Sequence, residues 1–140
     1  MSHDTAQEAT VRETVQTFFQ LLGAGDPDHI ADVFAEEIDW YVPGDESLPW
    51  TGRRTHRREV PEYFRLLWPA LVAGESVVEF DKLLVDGDDA VWLGRFTHTV
   101  RANNRTFTTP VAFHLTVQNS KIVRLHLYED THVVAQAVAA

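Results

Sequence analysis

Residues 106–129 read TFTTPVAFHLTVQNSKIVRLHLYE. Two alternating runs meet at a turn. In the first, Val111, Phe113, Leu115 and Val117 alternate with Ala112, His114, Thr116 and Gln118. In the second, Val123, Leu125 and Leu127 alternate with Arg124, His126 and Tyr128. Alternation with period two is the mark of a strand with one buried face. Asn119-Ser120 between the runs is turn chemistry. A three-residue hairpin loop with a bulge sets Phe113 opposite Leu127, and Leu115 opposite Val123 or Leu125. One sheet face is then apolar. The other carries His114, His126 and Tyr128, joined by His98 from the preceding strand.

Upstream the same grammar predicts two more strands, Ser76 to Val85 and Ala90 to Arg101. Asp86-Gly87-Asp88 and Asn103-Asn104 separate them from their neighbours. Before Gly74 the period changes. From Thr5 to Leu22 the apolar residues Val11, Val15, Phe18, Phe19 and Leu22 fall at helical intervals. About the first eight residues are expected as a flexible terminus. Gly23 and Gly25 stop this helix. Asp26-Pro27 opens a short second one reaching Phe34. Ile38 to Val42 reads as a strand ended by Pro43-Gly44, and Asp45 to Thr55 as a loop containing Trp50. Glu59 to Val72 reads as a third helix on Val60, Phe64, Leu67, Trp68 and Leu71. A last helical turn spans Thr131 to Ala139. Helices first, then an antiparallel meander, make an α+β fold. The length of 140 residues suits one domain.

Composition narrows the function classes. Net charge is −9, and phosphate-rich partners need a Lys/Arg surface, so neither nucleic acid nor an anionic membrane is expected as a partner. The one basic cluster, Arg53, Arg54, His56, Arg57 and Arg58, reads as a solvated helix entrance. Cysteine is absent, which excludes disulfides, thiolate catalysis and Cys-ligated zinc. No apolar run approaches the ~20 residues of a membrane-spanning helix. Residues 1–10 lack an apolar signal core, so a cytoplasmic protein is the default. The histidines show no metal-ligand spacing, and no metal is expected.

Three stretches carry a resemblance. Val15-Gln16-Thr17-Phe18-Phe19 through Gly25-Asp26 resembles the first helix and turn of the ketosteroid-isomerase and SnoaL-like families. Trp40-Tyr41-Val42-Pro43-Gly44, with Pro49-Trp50-Thr51-Gly52-Arg53, is similar to the strand and loop of SnoaL-like proteins. Lys121-Ile122-Val123-Arg124 through Tyr128-Glu129-Asp130-Thr131 is similar to their closing strand. In order and spacing the chain resembles the nuclear-transport-factor-2-like superfamily. That implies a curved antiparallel sheet, cone-shaped, packed on three N-terminal helices around an apolar pocket. The fold hosts isomerases, cyclases, epoxide hydrolases, dehydratases and binders.

Carried over residue by residue, the resemblance removes most of the known chemistry. The isomerase tyrosine falls on Phe18, its base on Val42 and its donor aspartate near Phe113, none of which moves a proton. The arginine of limonene-epoxide-hydrolase-like enzymes is matched by Arg95, but its two carboxylates fall on Thr97 and Leu127. The surviving catalytic candidates are Arg95, Glu129 and Asp130. Arg95 is expected to steady an oxyanion, or else to pair with Glu79, Asp81 or Glu129. Glu129 is expected to move a proton from an apolar mouth, or else to lie in solvent past the strand end. Asp130 is expected to share that role, or else to cap a helix. The expected pocket wall is Phe18, Trp40, Tyr41, Val42, Trp50, Thr97, Val111, Phe113 and Leu127, with Trp50 offering a flat surface to a ring.

Three functions remain open at this point. The first is a cofactor-free cyclase, isomerase or dehydratase, or a hydrolase, acting on a small ring-bearing carbonyl compound. The second is a non-catalytic binder of an apolar small molecule. The third is a structural homodimer with a filled cavity. The resemblance also implies a homodimer through the outer sheet face, that of His98, His114, His126 and Tyr128. Protonation of the His114–His126 pair below about pH 6 would then loosen it.

Overall fold

The computed structural model describes residues 5–139. The elements run α1 (Thr5–Ala24), α2 (Pro27–Ala31), β1 (Phe34–Val42), β2 (Gly52–His56), α3 (Val60–Leu67), β3 (Val77–Asp86), β4 (Asp89–Thr99), β5 (Thr106–Gln118), β6 (Lys121–Glu129) and α4 (Thr131–Val138). Short 3-10 turns flank α3 at Arg57–Glu59 and Trp68–Ala70. The strands form one curved sheet in the order β2-β1-β6-β5-β4-β3. The architecture is α+β. Every neighbouring pair is antiparallel except β1 and β6, which run parallel with Trp40 beside Leu125. No helix among the described residues is long and apolar enough to cross a membrane.

The closing hairpin follows its alternation. Phe113 pairs with Leu127 and Leu115 with Leu125. The loop is shorter than its sequence suggested: Gln118 pairs with Lys121, and Asn119 (φ 52°) and Ser120 (φ 61°) are both left-handed. Two left-handed residues match the twist of the flanking strands, so the turn needs no third residue. The bulge lies further in, between Thr116 and Val117.

Four boundaries differ from expectation, three through contacts distant in sequence and one through a proline. The second helix ends at Ala31, since the Val33 carbonyl accepts from the Ile122 N–H (2.8 Å) and Phe34 pairs with Ile122 in β6. Residues 52–56 form strand β2 rather than loop, with Arg54 beside Trp40. The third helix stops at Leu67, where Pro69 tightens the chain into a 3-10 turn. Thr5 to Glu8 belong to α1 rather than to a flexible terminus, and the Glu8 carboxylate accepts from the Gly87 N–H (2.9 Å). Residues 1–4 lie outside the described residues. At the other end of α1, Gly25 (φ 75°) donates back to the Leu21 carbonyl (3.2 Å), a helix stop that favours glycine.

The core lies between α1, α3 and the concave sheet face. Phe18, Phe34, Trp40, Leu115 and Leu125 are wholly buried there. Arg54, expected in solvent with its basic neighbours, is buried too. It donates to the Trp50 carbonyl (3.1 Å), reaches Glu62 at 3.8 Å and sits 5.4 Å from the Tyr63 ring centre. Arg53 instead lies over the Tyr41 ring on the opposite face, 4.4 Å from its centre.

Candidate functional site

Between the concave face of the sheet, α1, α3 and α4 lies a cavity of about 1000 Å³. Inward positions of five strands and three helices converge on it, and its wall is largely aromatic. Phe19 stacks on Trp92 (centroids 4.3 Å apart, planes 14° apart), and Trp40 meets Tyr63 edge-on at 4.9 Å. All four tryptophans, Trp40, Trp50, Trp68 and Trp92, line it. Residues that line the cavity and are also exposed mark its mouth: Arg12, Gln16, Gln20 and Gly23 on α1, with Ser76 just before β3 and Val78 and Phe80 on it.

Four ionisable side chains line this cavity: Arg12, Tyr63, His98 and Glu129. Glu129 is the last residue of β6 and still pairs with Val111. Its parity is that of Leu125 and Leu127, so its carboxyl enters the apolar space. Burial, with a smaller push from the charge of Asp130, raises it to about 7. The Tyr63 hydroxyl is raised well above its ordinary value, first by burial and then by the charge of Glu129. Near it, the indole N–H of Trp40 is buried with no hydrogen-bond partner among the described residues. A proton-carrying carboxyl and two hydrogen-bond donors thus belong to one end of the cavity. Chemically, such a set can take up and return a proton at neutral pH and stabilise an oxyanion. On the inner face of β4, the His98 Nδ1 is 2.8 Å from the Ser76 hydroxyl, and burial pushes the imidazole down to about 4.

Of the wall residues expected from sequence, Phe18, Trp40, Val42, Trp50, Phe113 and Leu127 line the cavity, as does Glu129. Val111 is buried on the same sheet face but does not reach the lining. The others lie elsewhere. Arg95 and Thr97 project from the outer face, because the inward set of β4 is Ala90, Trp92, Gly94, Phe96 and His98. These residues pair with the inward Leu115, Phe113 and Val111 of β5 and then with Thr109 and Phe107. Arg95 is exposed and donates to Glu79 (2.9 Å), and Thr97 bonds Thr108 across the strand pair. Tyr41 is likewise outward, against Arg53 and His126. Asp130 is an N-cap: its carboxylate accepts from the Val133 N–H (3.1 Å) at the start of α4.

The outer face keeps His114, His126 and Tyr128, while His98 leaves that set for the cavity. His114 and His126 pair across β5 and β6 with ring centres 6.3 Å apart. Each holds its own carboxylate, His114 with Asp89 (3.0 Å) and His126 with Asp39 (2.9 Å). These two anions offset the repulsion anticipated between the protonated rings. No group of three or more His, Asp or Glu side chains among the described residues is placed to hold a metal ion.

Sequence reasoning missed Tyr63, His98, Trp92 and Phe96. Tyr63 falls three residues after Val60, a helical interval that was there to be read. The other three share one parity of β4, on which two large aromatics outweigh the smaller Val91 and Leu93 of the opposite parity.

The family of SnoaL-like domains matches residues 15–125. An NTF2-like protein from Burkholderia xenovorans LB400 is 25% identical, with a TM-score of 0.79 over 94% of this chain and 97% of that one. A proposed isomerase from Rhodopseudomonas palustris is 22% identical, with a TM-score of 0.76 over 91% and 97%. A proposed SnoaL-like polyketide cyclase from Jannaschia sp. CCS1 is 15% identical, with a TM-score of 0.79 over 100% and 99%. At these last two identities the likeness is one of fold. No curated protein matches the chain in sequence. The family match spans most of the chain, and the sheet order and helix placement agree with it: the chain belongs to the SnoaL-like domain family.

Proposed function

We propose that the cavity binds a small, largely apolar, ring-bearing carbonyl compound and that Glu129 moves a proton on it without a cofactor. The observation that carries this reading is a carboxyl raised to about 7 inside an aromatic cavity, with Tyr63 and Trp40 as nearby donors. A carboxyl of that pKa is divided between its acid and base forms at neutral pH, which is where one group serves best as both. As carboxylate, Glu129 removes a proton from the carbon beside the carbonyl. The electron pair moves onto the carbonyl oxygen, and the Tyr63 O–H and Trp40 N–H donate to the resulting enolate oxygen. Where a carbon–carbon double bond is conjugated with this enolate, Glu129, now protonated, returns the proton to its far carbon as the electron pair moves back from oxygen and the double bond shifts, which is isomerisation. Alternatively the enolate carbon attacks a second carbonyl of the same molecule, and Glu129 protonates the new alkoxide, which is cyclisation. Arg95, on the outer face, takes no part.

The test is solvent deuterium incorporation beside the carbonyl of 1-tetralone, followed by NMR, with ligand binding followed by tryptophan fluorescence. The expected result is exchange above the buffer rate that Glu129→Gln abolishes, while quenching by the ketone persists. Exchange unaltered in Glu129→Gln refutes the assigned role.

A second reading, a non-catalytic binder, is favoured by the cavity wall. Carried over by resemblance, the isomerase base falls on Val42, its donor aspartate near Phe113 and one epoxide-hydrolase carboxylate on Leu127, and all three of these cavity-lining residues are apolar. Quenching in the wild type with no exchange at all selects that reading. A cavity of about 1000 Å³ weighs against a filled-core structural role, since it is at the upper end of the volumes usual for ligand sites.

A further inference from the structure

Behind the cavity wall lies a charge that the proposed proton transfer leaves unused. Strand β2 alternates. Arg53 pairs with Tyr41 on the outer face, while Arg54 pairs with Trp40 and turns inward. The Arg54 side chain is only 6% exposed. It lies beside Trp40 in the ladder, donates from Nη1 to the Trp50 carbonyl (3.1 Å), and places Cζ 5.4 Å from the centre of the Tyr63 ring. Trp40, Trp50 and Tyr63 all line the cavity, and Arg54 stands behind that lining. Its paired carboxylate, on Glu62, is 3.8 Å away, beyond hydrogen-bond reach, and 62% exposed, so water screens it. The Arg54 Nε has no hydrogen-bond partner among the described residues. Since an arginine is always charged, the aromatic wall is backed by a buried cation whose field reaches the wall rather than being cancelled behind it.

A cation near a tyrosine ring is attracted to it, and more so when the phenol oxygen carries negative charge. Tyr63 gains such charge when its O–H donates to an oxyanion. Burial first, and then the charge of the Glu129 carboxylate, tighten the hold of Tyr63 on its proton, while Arg54 acts the other way. Glu129 loses its charge once it has taken the substrate's proton. The opposition of Glu129 then ends while the charge of Arg54 persists, at the stage when the enolate oxygen has formed. An interaction that strengthens along the reaction lowers its barrier, whereas one that is equal throughout does not.

We propose that Arg54 is a positioning residue for the proton transfer: it braces the Tyr63 ring and the Trp50 carbonyl and, through that ring, strengthens the hydrogen bond from the Tyr63 hydroxyl to the enolate oxygen. This rests on the role proposed for Glu129. Arg54 touches no substrate atom, so its effect falls on turnover rather than on binding. Loss of an oxyanion donor itself costs about a hundredfold, and a cation acting through that donor is expected to contribute about tenfold.

The experiment is deuterium exchange of 1-tetralone by the full chain, with kcat and KM measured from pH 5 to pH 9 in the wild type, Arg54→Gln, Tyr63→Phe and the double variant. Glutamine keeps a donor for the Trp50 carbonyl and removes the charge. Arg54→Gln is expected to lower kcat about tenfold and to leave KM within about twofold. The midpoint of the pH profile, set by Glu129 near 7, should stay in place. The ionisable groups around it are Asp130 beside Glu129, Tyr63 with Arg54 behind it, Glu62 in solvent, and Arg12 and His98 elsewhere in the lining. With Tyr63→Phe already present, Arg54→Gln should change kcat by less than about twofold, because the two side chains act as a unit. A merely structural role predicts otherwise: water admitted behind Tyr63 would lower the midpoint towards the ordinary carboxylate range and raise KM. That pattern overturns the inference, as does an unchanged kcat in Arg54→Gln or an equal loss with and without the Tyr63 hydroxyl. If Arg54→Gln does not fold, Arg54→Lys replaces it, keeping the charge without the planar fork; a loss of about threefold in kcat, confined to chains with Tyr63, is expected, and an unchanged kcat again overturns the inference. Exchange that depends on Glu129 but not on Arg54 leaves the proton transfer standing. Absence of any Glu129-dependent exchange removes both.

Discussion

Replacing Glu129 by glutamine removes a proton that the folded chain holds more tightly than the unfolded chain does. Glutamine has the shape of the protonated acid, so the substitution isolates the charge. The unfolded carboxyl titrates near 4.5 and the folded one near 7. Below pH 4.5 both states carry the proton and Glu129 costs nothing. As pH rises from 4.5 towards 7 the unfolded chain releases its proton first, and folding becomes progressively less favourable. Above about pH 7 the cost is complete. At about 1.4 kcal/mol per unit of pH the full interval is about 3.4 kcal/mol, an upper bound. Glu129 retains some contact with solvent, so screening reduces this to about 2 kcal/mol. Urea unfolding of both proteins at pH 5, 6, 7 and 8 measures it directly. The other titrating groups are common to both proteins, and their contributions cancel in the difference. Relative to the wild type, Glu129→Gln is expected to gain about 2 kcal/mol between pH 5 and pH 8. A difference constant to within about 0.5 kcal/mol across that range would mean that the carboxyl sits in water and titrates normally, and the reasoning on the cavity's acid would fail.

Four further outcomes are expected. Asp130→Ala removes the cap of α4 and should cost about 1 kcal/mol by urea unfolding. Asp130→Asn keeps the cap but removes the charge that helps raise Glu129, so the pH window of the wild type–Glu129→Gln difference should move downward. Gly94→Ala places a methyl group against the Glu79 carbonyl and within 2.6 Å of the Trp92 ring; a loss of about 1–3 kcal/mol is expected, with a changed near-ultraviolet signal as the indole shifts. Arg95→Ala breaks an exposed ion pair with Glu79 and should stay within about 0.5 kcal/mol of the wild type, with no effect on quenching by ligand.

The legibility of this chain follows the contrast between the two faces of each strand. From Val111 to Gln118 and from Val123 to Tyr128 aliphatic or aromatic residues alternate with mostly polar ones, so one reading exists, and the pairing of Phe113 with Leu127 could be written from sequence. In β4 both parities alternate plausibly: Leu93, Arg95, Thr97 and Thr99 on one, Trp92, Gly94, Phe96 and His98 on the other. Reading the first as inward reversed the strand and displaced Arg95, Thr97 and His98 together, because a slip of one residue moves every side chain to the other face. The size of the aromatics was the better guide. Gly94 confirms that choice physically, since the Trp92 ring occupies the space its missing side chain leaves. Other misses were not local at all. Strand β2 exists because residues 52–56 lie beside β1, and nothing in Gly-Arg-Arg-Thr-His announces a strand. Arg54 is buried by that pairing, whatever its basic neighbours suggest.

Glu129 was undecided in sequence because its fate depends on which of two events comes first, the end of the strand or the turn into α4. Asp130 settles it. By capping α4 through the Val133 N–H, and by donating its own N–H to the Thr109 hydroxyl (2.9 Å), it redirects the chain only after Glu129 has paired with Val111. One residue earlier and the carboxyl would leave the sheet; one parity away and it would join the outer face. The outer face shows what that would mean. Asp39 is held below its ordinary value by a bond from His126, against burial, with Arg124 assisting. At Asp89 burial acts upward, but bonds from Thr116 and His114 outweigh it and the carboxyl again lies low. These two aspartates are ionised at neutral pH, and the stability they contribute there is lost only as pH falls through their lowered values. Glu129 runs the opposite way: among the described residues no cation pairs with it, so burial dominates and its cost appears as pH rises. One sheet thus separates two carboxylates held low from one held high, by face and by the presence of cations rather than by residue type. Environments that drive like groups apart in this way are how a single fold assigns acid and base roles at neutral pH, and the proton transfer proposed for Glu129 draws on that division.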